Sequence, residues 1–190
     1  MASVVLVEPE IPENTGFIAR LTANFGFDLR IVKPRFNLAE SRGTASSAQE
    51  KLRDARIFDS VEDAVEDLDY IVGTKPGRGK SLGEFQPREN TSIMIGRESS
   101  GLSNKELDLC DAVVHIETGE YSSLNQSHAA SILMHSFFSR EESRGMSEGV
   151  KNKLHSMIGG TTLEKAIIES NPSTDVMGRI ISDLRQLKQK

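Results

Sequence analysis

At 190 residues the chain is long enough for one domain with a substantial core and a small appendage. Its 37% hydrophobic and 27% charged residues are ordinary for a globular protein, and its apolar runs, such as Val4 to Val7, are too short to span a membrane. The formal charge of −5 excludes RNA binding by bulk charge alone, so any nucleic-acid surface must be a local patch.

Met1 leads directly into the β-branched run Val4-Val5-Leu6-Val7, predicted to be a strand covered on both faces. This start lacks the basic region, apolar core and cleavage site of a signal peptide, which predicts a cytoplasmic protein. Pro12 and Asn14 open a helix that runs to about Phe25, with Ile18, Leu21 and Phe25 at helical spacing and Gly26 closing it. Leu29 to Val32 is the next strand, ending at Pro34, and Arg30, Lys33 and Arg35 form a cation cluster diluted by Asp28. A short helix at Ser46 to Leu52, a strand at Arg56 to Phe58, a helix at Val61 to Leu68 and a strand at Asp69 to Gly73 follow.

Lys75-Pro76-Gly77-Arg78-Gly79-Lys80 carries three cations and no acid, the best candidate RNA patch in a loop. Its continuation, Gly79-Lys80-Ser81, imitates a phosphate-binding P-loop. Thr74 stands where that motif needs its first glycine, and Gly83, Pro87 and Asn90 oppose the helix that should follow, so nucleotide hydrolysis is rejected. Ser92 to Gly96 is a strand. Ser103-Asn104-Lys105-Glu106 is a capping box that starts a short helix, and Ala112 to Ile116 is the last strand. Cys110, the single cysteine, reads as packing rather than a nucleophile and suits a reducing compartment. Leu124 to about Ser139 is a longer helix with Ala129, Ile132, Leu133 and Phe137 on one stripe; Ser123 and Gln126 make a capping box for it.

Strand and helix alternate throughout, which predicts an α/β fold: a mostly parallel sheet with helices on both faces, over residues 1–140. Residues 141–190 are predicted to be a polar linker (Glu141 to Gly149) and a small helical C-terminal extension of two helical patterns. Asn171 and Pro172 start the second, whose apolar stripe is Val176, Ile180, Leu184 and Leu187.

Three segments place polar chemistry at the ends of predicted elements. They are Glu8 to Gly16 leading to Arg20, Gly96-Arg97-Glu98-Ser99-Ser100-Gly101-Leu102 directly after a buried strand, and Glu120-Tyr121-Ser122-Ser123-Leu124-Asn125 at a helix start. Each alone reads equally as a cap or a solvated turn. Their order and spacing, Asn-Thr-Gly-x-x-x-Arg, then Gly-Arg-Glu-x-x-Gly-Leu, then Ser-Ser-Leu-Asn, resemble the three motifs of the SPOUT class of RNA 2′-O-ribose methyltransferases, within the TrmH/SpoU superfamily. The resemblance covers about residues 3 to 140. The longer run Gly-Arg-Glu-Ser-Ser-Gly-Leu-Ser-Asn-Lys-Glu-Leu and the faint similarity of Asn171 to Leu184 to a C-terminal extension are most similar to the TrmJ branch.

The resemblance implies a C-terminal deep trefoil knot, which general rules of chain topology would not predict. It implies that S-adenosyl-L-methionine is held by knotted loops at Thr74, Lys75, Pro76, Gly96, Arg97, Ile116, Ser122, Ser123 and Leu124, with backbone groups of Gly96 and Ile116 reading the adenine edge. Lys75 stands where a small residue is expected, so its side chain should point outward. Arg20 is the residue implied to act on the ribose 2′-OH, from the partner subunit of a homodimer, with Asn14, Glu98, Ser123 and Asn125 completing the catalytic pocket. No metal is implied. The implied substrate is tRNA, methylated at position 32 of the anticodon loop; the Glu-Pro-Glu-Ile-Pro-Glu-Asn-Thr-Gly segment also resembles the branch that modifies the wobble nucleotide, position 34. A catalytically silent RNA-binding protein on the same fold is the reading from another class.

Overall fold

The computed structural model describes residues 2–142, 148–170 and 174–188, and the chain divides into two compact units, Met1–Phe138 and Ser139–Lys190. The first unit holds seven strands: β1 (Ser3–Val7), β2 (Asp28–Val32), β3 (Arg56–Phe58), β4 (Tyr70–Thr74), β5 (Lys80–Ser81), β6 (Thr91–Ile95) and β7 (Ala112–His115). They form one sheet in the order β3-β2-β1-β6-β4-β7-β5, and every pairing is parallel. The chain first winds outward from β1 to β3 and then returns to the other side of β1. The switch therefore lies between β1 and β6, where open parallel sheets leave a crevice at the carboxyl ends of their strands.

Both central strands are buried on both faces, which explains their unbroken apolar runs. Val4 and Leu6 of β1, with Ile93 and Ile95 of β6, pack against Ile18 and Ala19 of α1 (Pro12–Phe25) and Ala130, Leu133, Met134 and Phe137 of α6 (Gln126–Glu142). Val5, Val7 and Met94 face the other way, onto Val61, Ala64 and Val65 of α4 (Val61–Val65) and Leu107 of α5 (Asn104–Leu107). Leu133 and Phe137 of the expected α6 stripe are buried, but Ala130 and Met134 complete it in place of Ala129 and Ile132, and Ile132 is 41% exposed. Helices α1 and α6 lie side by side in one direction, since Asn125 meets Asn14 near their starts and Phe25 stacks with His135 and Phe138 near their ends.

Several local expectations change for identifiable reasons. The helix expected at Ser46 to Leu52 begins as a tight turn at Ser46–Ala48 and continues as α3 (Gln49–Arg53), and an unexpected short helix, α2 (Arg42–Ala45), precedes it, separated by Ser46 at φ 49°. The helix expected to reach Leu68 stops at Val65, where the Leu68 N–H bonds the Val65 carbonyl in a tighter turn. Lys80-Ser81 is an edge strand on β7 instead of the start of a helix, so the resemblance to a P-loop ends there.

That early stop of α4 presents Asp67 to Arg30. Arg30 is not part of a surface cluster, as expected from sequence, but 3% exposed. Its guanidinium donates to Ser3 Oγ at 3.1 Å, to the Ala64 carbonyl at 2.9 Å and to both oxygens of Asp67. A buried charge is tolerable only when its donors are satisfied in this way.

Among the described residues of the second unit there are three helices where two were expected: α7 (Glu148–Ile158), α8 (Thr162–Ser170) and α9 (Thr174–Lys188). The expected linker at 141–149 shrinks, since α6 runs to Glu142 and α7 begins at Glu148. Asn171 and Pro172 lie outside the described residues. Leu154, Ile167, Met177 and Ile181 form this unit's core. The buried face of α9 is therefore turned relative to the expected stripe: Ile180 and Leu184 pack at its margin, and Val176 and Leu187 are exposed.

Two outcomes test the Arg30 centre. Arg30→Ala strands the Ala64 carbonyl and leaves a void, and urea unfolding should show a loss of about 2–4 kcal/mol. Chiefly through its bond to Arg30, the Asp67 carboxyl is lowered from 3.8 to about 2. Its folded value lies below the unfolded one, so the stabilisation is complete above about pH 4 and lost as pH falls towards 2. Asp67→Asn should flatten that part of the stability–pH curve.

Candidate active site

The loops that leave β1, β4, β6 and β7 meet the start of α6 at the carboxyl edge of the sheet. Those after β4, β6 and β7, with the start of α6, line a cavity of about 260 Å³. Thr74, Lys75 and Pro76 line it after β4; Gly96, Arg97 and Glu98 after β6; Ile116 after β7; and Ser122, Ser123 and Leu124 before α6. The structure thus brings together in one hollow all the residues expected to touch a cofactor, plus Glu98. Ser99, Ser100, Gly101, Gln126 and Ala129 line it too, and none of these was singled out from sequence as a site residue. Gln126 was the hardest to find: its place in an amphipathic helix reads as a cap partner. Its Nε2 in fact donates to the Gly96 carbonyl at 2.8 Å, while its Oε1 is buried without a partner.

The β6 loop folds tightly on itself. Gly101 takes φ 67°, and a Cβ on Gly96 would overlap the backbone of Gly101 and Leu102. Glycine at 96 is thus required by the loop's own closure, whatever the cavity binds. Lys75 does not point outward as expected: its Nζ donates to the Leu102 carbonyl at 2.6 Å, tying the β4 loop to the β6 loop. Arg78 likewise donates to Asn104 Oδ1 at 2.5 Å. Two of the three cations of the proposed RNA patch therefore also brace the loops around the cavity.

Arg97 lines the cavity, but its guanidinium is held by Glu106 at 2.9 and 3.1 Å and by Glu8 at 3.0 Å. Arg97 and then Arg35 hold the Glu8 carboxyl below its ordinary value. Burial pushes Glu106 up, but the bonds from Arg97 and the Ser103 N–H outweigh it and keep that carboxyl low as well. Glu8 takes φ 46°, a strained conformation for a non-glycine residue, and this ion-pair cluster over-determines it.

Asn14, Glu98 and Asn125 form a chain at the edge of the cavity. Asn125 Nδ2 donates to Asn14 Oδ1 at 3.0 Å, and Asn14 Nδ2 donates to Glu98 Oε1 at 3.0 Å. Asn125 also caps α6, its Oδ1 accepting from the Ser127 N–H at 2.9 Å and the Ser127 hydroxyl at 2.7 Å. The expected capping box from Ser123 is thereby replaced, and α6 starts at Gln126 instead of Leu124. Ser123, released from capping, is exposed on the cavity wall. Arg20 is not brought to this site. It is exposed on α1 and lines a separate hollow with Asn24, Lys51 and Arg56, which shares no lining residue with the cavity. Burial pushes the Cys110 thiol up to about 12, in keeping with a packing role.

The sequence profile of the SpoU rRNA methylase family matches residues 1–135, which contain every one of these loops. The chain belongs to the SpoU family. A curated relative, the tRNA (cytidine-2′-O-)-methyltransferase TrmJ of Methanocaldococcus jannaschii, is 35% identical over 74% of this chain and 69% of its own. The chain spans 57% to 69% of the lengths of its first three curated relatives. Among solved structures, TrmJ from Z. mobilis superposes with a TM-score of 0.66 at 26% identity, over 98% of this chain and 89% of that one. A structure described as giving insight into 2-OH methylation of C/U34 on tRNA matches with a TM-score of 0.69 at 27% identity, over 74% of this chain and 96% of that one. The fold is also that of the SpoU methyltransferase AviRb from Streptomyces viridochromogenes in complex with AdoMet (TM-score 0.65, 24% identity, 74% of this chain and 58% of that one). Among the described residues no helix is long and apolar enough to cross a membrane, and no group of His, Cys, Asp and Glu is placed to hold a metal ion.

The closure of the β6 loop generates a test. Gly96→Ala should lower the melting temperature by several degrees and distort the cavity together, because the added methyl collides with backbone rather than with a movable side chain. A folded variant with wild-type stability would show that the loop has room to relax.

Proposed function

We propose that the chain is an S-adenosyl-L-methionine-dependent tRNA ribose 2′-O-methyltransferase that acts as a homodimer on position 32 of the anticodon loop. The observation that carries this reading is the convergence of the second and third motifs on one cavity at the switch point of a parallel sheet, with Asn14 of the first motif bonded to Glu98 at its edge. Its wall suits a nucleoside-bearing cofactor: backbone-rich turns at Gly96 to Gly101 and Ile116, and hydroxyls on Ser122 and Ser123. When bound, S-adenosyl-L-methionine would supply an activated methyl group to the ribose 2′-oxygen.

The protein's part is alignment and help with a poorly acidic proton. Asn14 and Asn125, locked to Glu98, offer a rigid polar edge against which a ribose can be oriented. Arg20 belongs to the partner's site in this reading, which accounts for its exposure away from its own cavity. A guanidinium deprotonates only above about pH 12, so its role is to hold the adjacent phosphate and stabilise the developing alkoxide. The homodimer is supported by apolar side chains left exposed on α1 and α6, Phe17 at 43% and Ile132 at 41%. The trefoil knot belongs to the same reading and rests on the chain's membership of the SpoU family.

Position 32 is favoured over the wobble ribose because the match to a TrmJ structure extends over 98% of this chain, whereas that to the C/U34 structure covers 74%. Transfer of labelled methyl from S-adenosyl-L-methionine to unmodified tRNA transcripts, with the modified ribose mapped, tests the reading. Methylation at 34 would select the second branch; no transfer by a protein that binds the cofactor would overturn the enzyme. Arg20→Ala should cut turnover at least about 100-fold and leave cofactor affinity within about twofold.

A further inference from the structure

Two carboxylates, far apart in sequence, each cap the loop that carries the other. Glu98, after β6, accepts from the N–H groups of Glu10 at 2.8 Å and Ile11 at 3.2 Å, and from Asn14 Nδ2. Glu10, after β1, accepts from the Ser99 N–H and the Ser99 hydroxyl, each at 2.9 Å. The Glu98 arm fills a real deficit. Helix α1 has Ile11 at its N-cap, with no side-chain cap of its own, and Pro12 in its first turn. A carboxylate from the neighbouring loop supplies the missing acceptor and a negative charge at the positive end of a 14-residue helix.

The Glu10 arm has no such helix to cap. What it holds is Ser99, in the middle of the turn from Arg97 to Gly101 that walls the cavity. Ser99 is exposed, so without Glu10 its N–H and hydroxyl would bond to water, at little cost to global stability. Because neither group needs Glu10 for burial, this arm contributes to the shape of the turn more than to folding. With the Glu98 arm it joins the turn lining the cavity to the start of the helix bearing Asn14 by bonds in both directions.

We propose that Glu10 is a positioning residue for methyl transfer: by clasping Ser99 it keeps the Arg97–Gly101 turn in the form that accepts the cofactor. This rests on the methyltransferase reading above. The test is calorimetric titration of the full chain with S-adenosyl-L-methionine, alongside KM for tRNA and thermal unfolding. Glu10→Ala loses both acceptors, and its cofactor Kd should rise about tenfold, with KM for tRNA changed less than about twofold and the melting temperature nearly unchanged. Glu10→Gln keeps an acceptor for the Ser99 N–H and a group that can pair with its hydroxyl, so it should restore affinity to within about threefold. Ser99→Ala removes the hydroxyl arm alone and should fall between wild type and Glu10→Ala, which keeps the test open if the latter variant fails to fold. Wild-type affinity in Glu10→Ala, or equal losses in Glu10→Ala and Glu10→Gln, would overturn the clasp. Failure of the wild-type chain to bind the cofactor would instead overturn the methyltransferase reading on which the clasp rests.

Discussion

Val4, Val5 and Leu6 of β1 lie in register beside Ile93, Met94 and Ile95 of β6, and both strands are buried on both faces. Parallel pairing sends both chains out of the sheet at the same edge, so the loop after Val7 and the loop after Ile95 must leave side by side. Everything at the site follows from that adjacency. Glu8 and Glu10 can reach Arg97 and Ser99, and Glu98 can reach the start of α1, only because two segments nearly ninety residues apart in the chain share one edge. Burial holds this register, since a slip of one residue would turn every side chain to the opposite face.

Electrostatics adds a second layer. The chain carries a formal charge of −5, yet its cations near the cavity are largely engaged. Arg97 is held between Glu106 and Glu8, Lys75 rests on the Leu102 carbonyl, and Arg78 on Asn104. The ordinary values of the Glu8 and Glu106 carboxyls are lowered by these contacts, so the cluster stays charged well into the acid range. A cavity braced this way by fixed ion pairs and loop bonds has polar walls that need little rearrangement, which is what alignment of two reactants demands.

Much of the fold was legible because its strands are short, β-branched and bounded by breakers. The strands from Val4 to Val7, Leu29 to Val32 and Ser92 to Gly96 agree with the structure to within a residue. Errors arose where spacing alone chooses a helix face. On α6 and α9, apolar residues stand on several sides, and burial selects Met134 over Ile132 and Met177 over Val176 through neighbours that periodicity does not see. The end of α4 and the break at Ser46 were equally invisible, since the first is set by a turn that delivers Asp67 to Arg30 and the second by a single positive φ.

The sequence by itself determined the alternating architecture, the three motifs and their order, and hence the resemblance to a methyltransferase family. These are written in local patterns: runs of apolar residues, glycines at turns and polar residues at element ends. Only the tertiary structure decided what each polar side chain does. It moved Arg30 from the surface to the core, made Asn125 the cap of α6 and a partner of Asn14, committed Lys75 to the β6 loop, and set Glu10 against Ser99. Hydrogen-bond partners are chosen by proximity in space, and proximity between residues far apart in the chain is created by strand order, which no local pattern encodes.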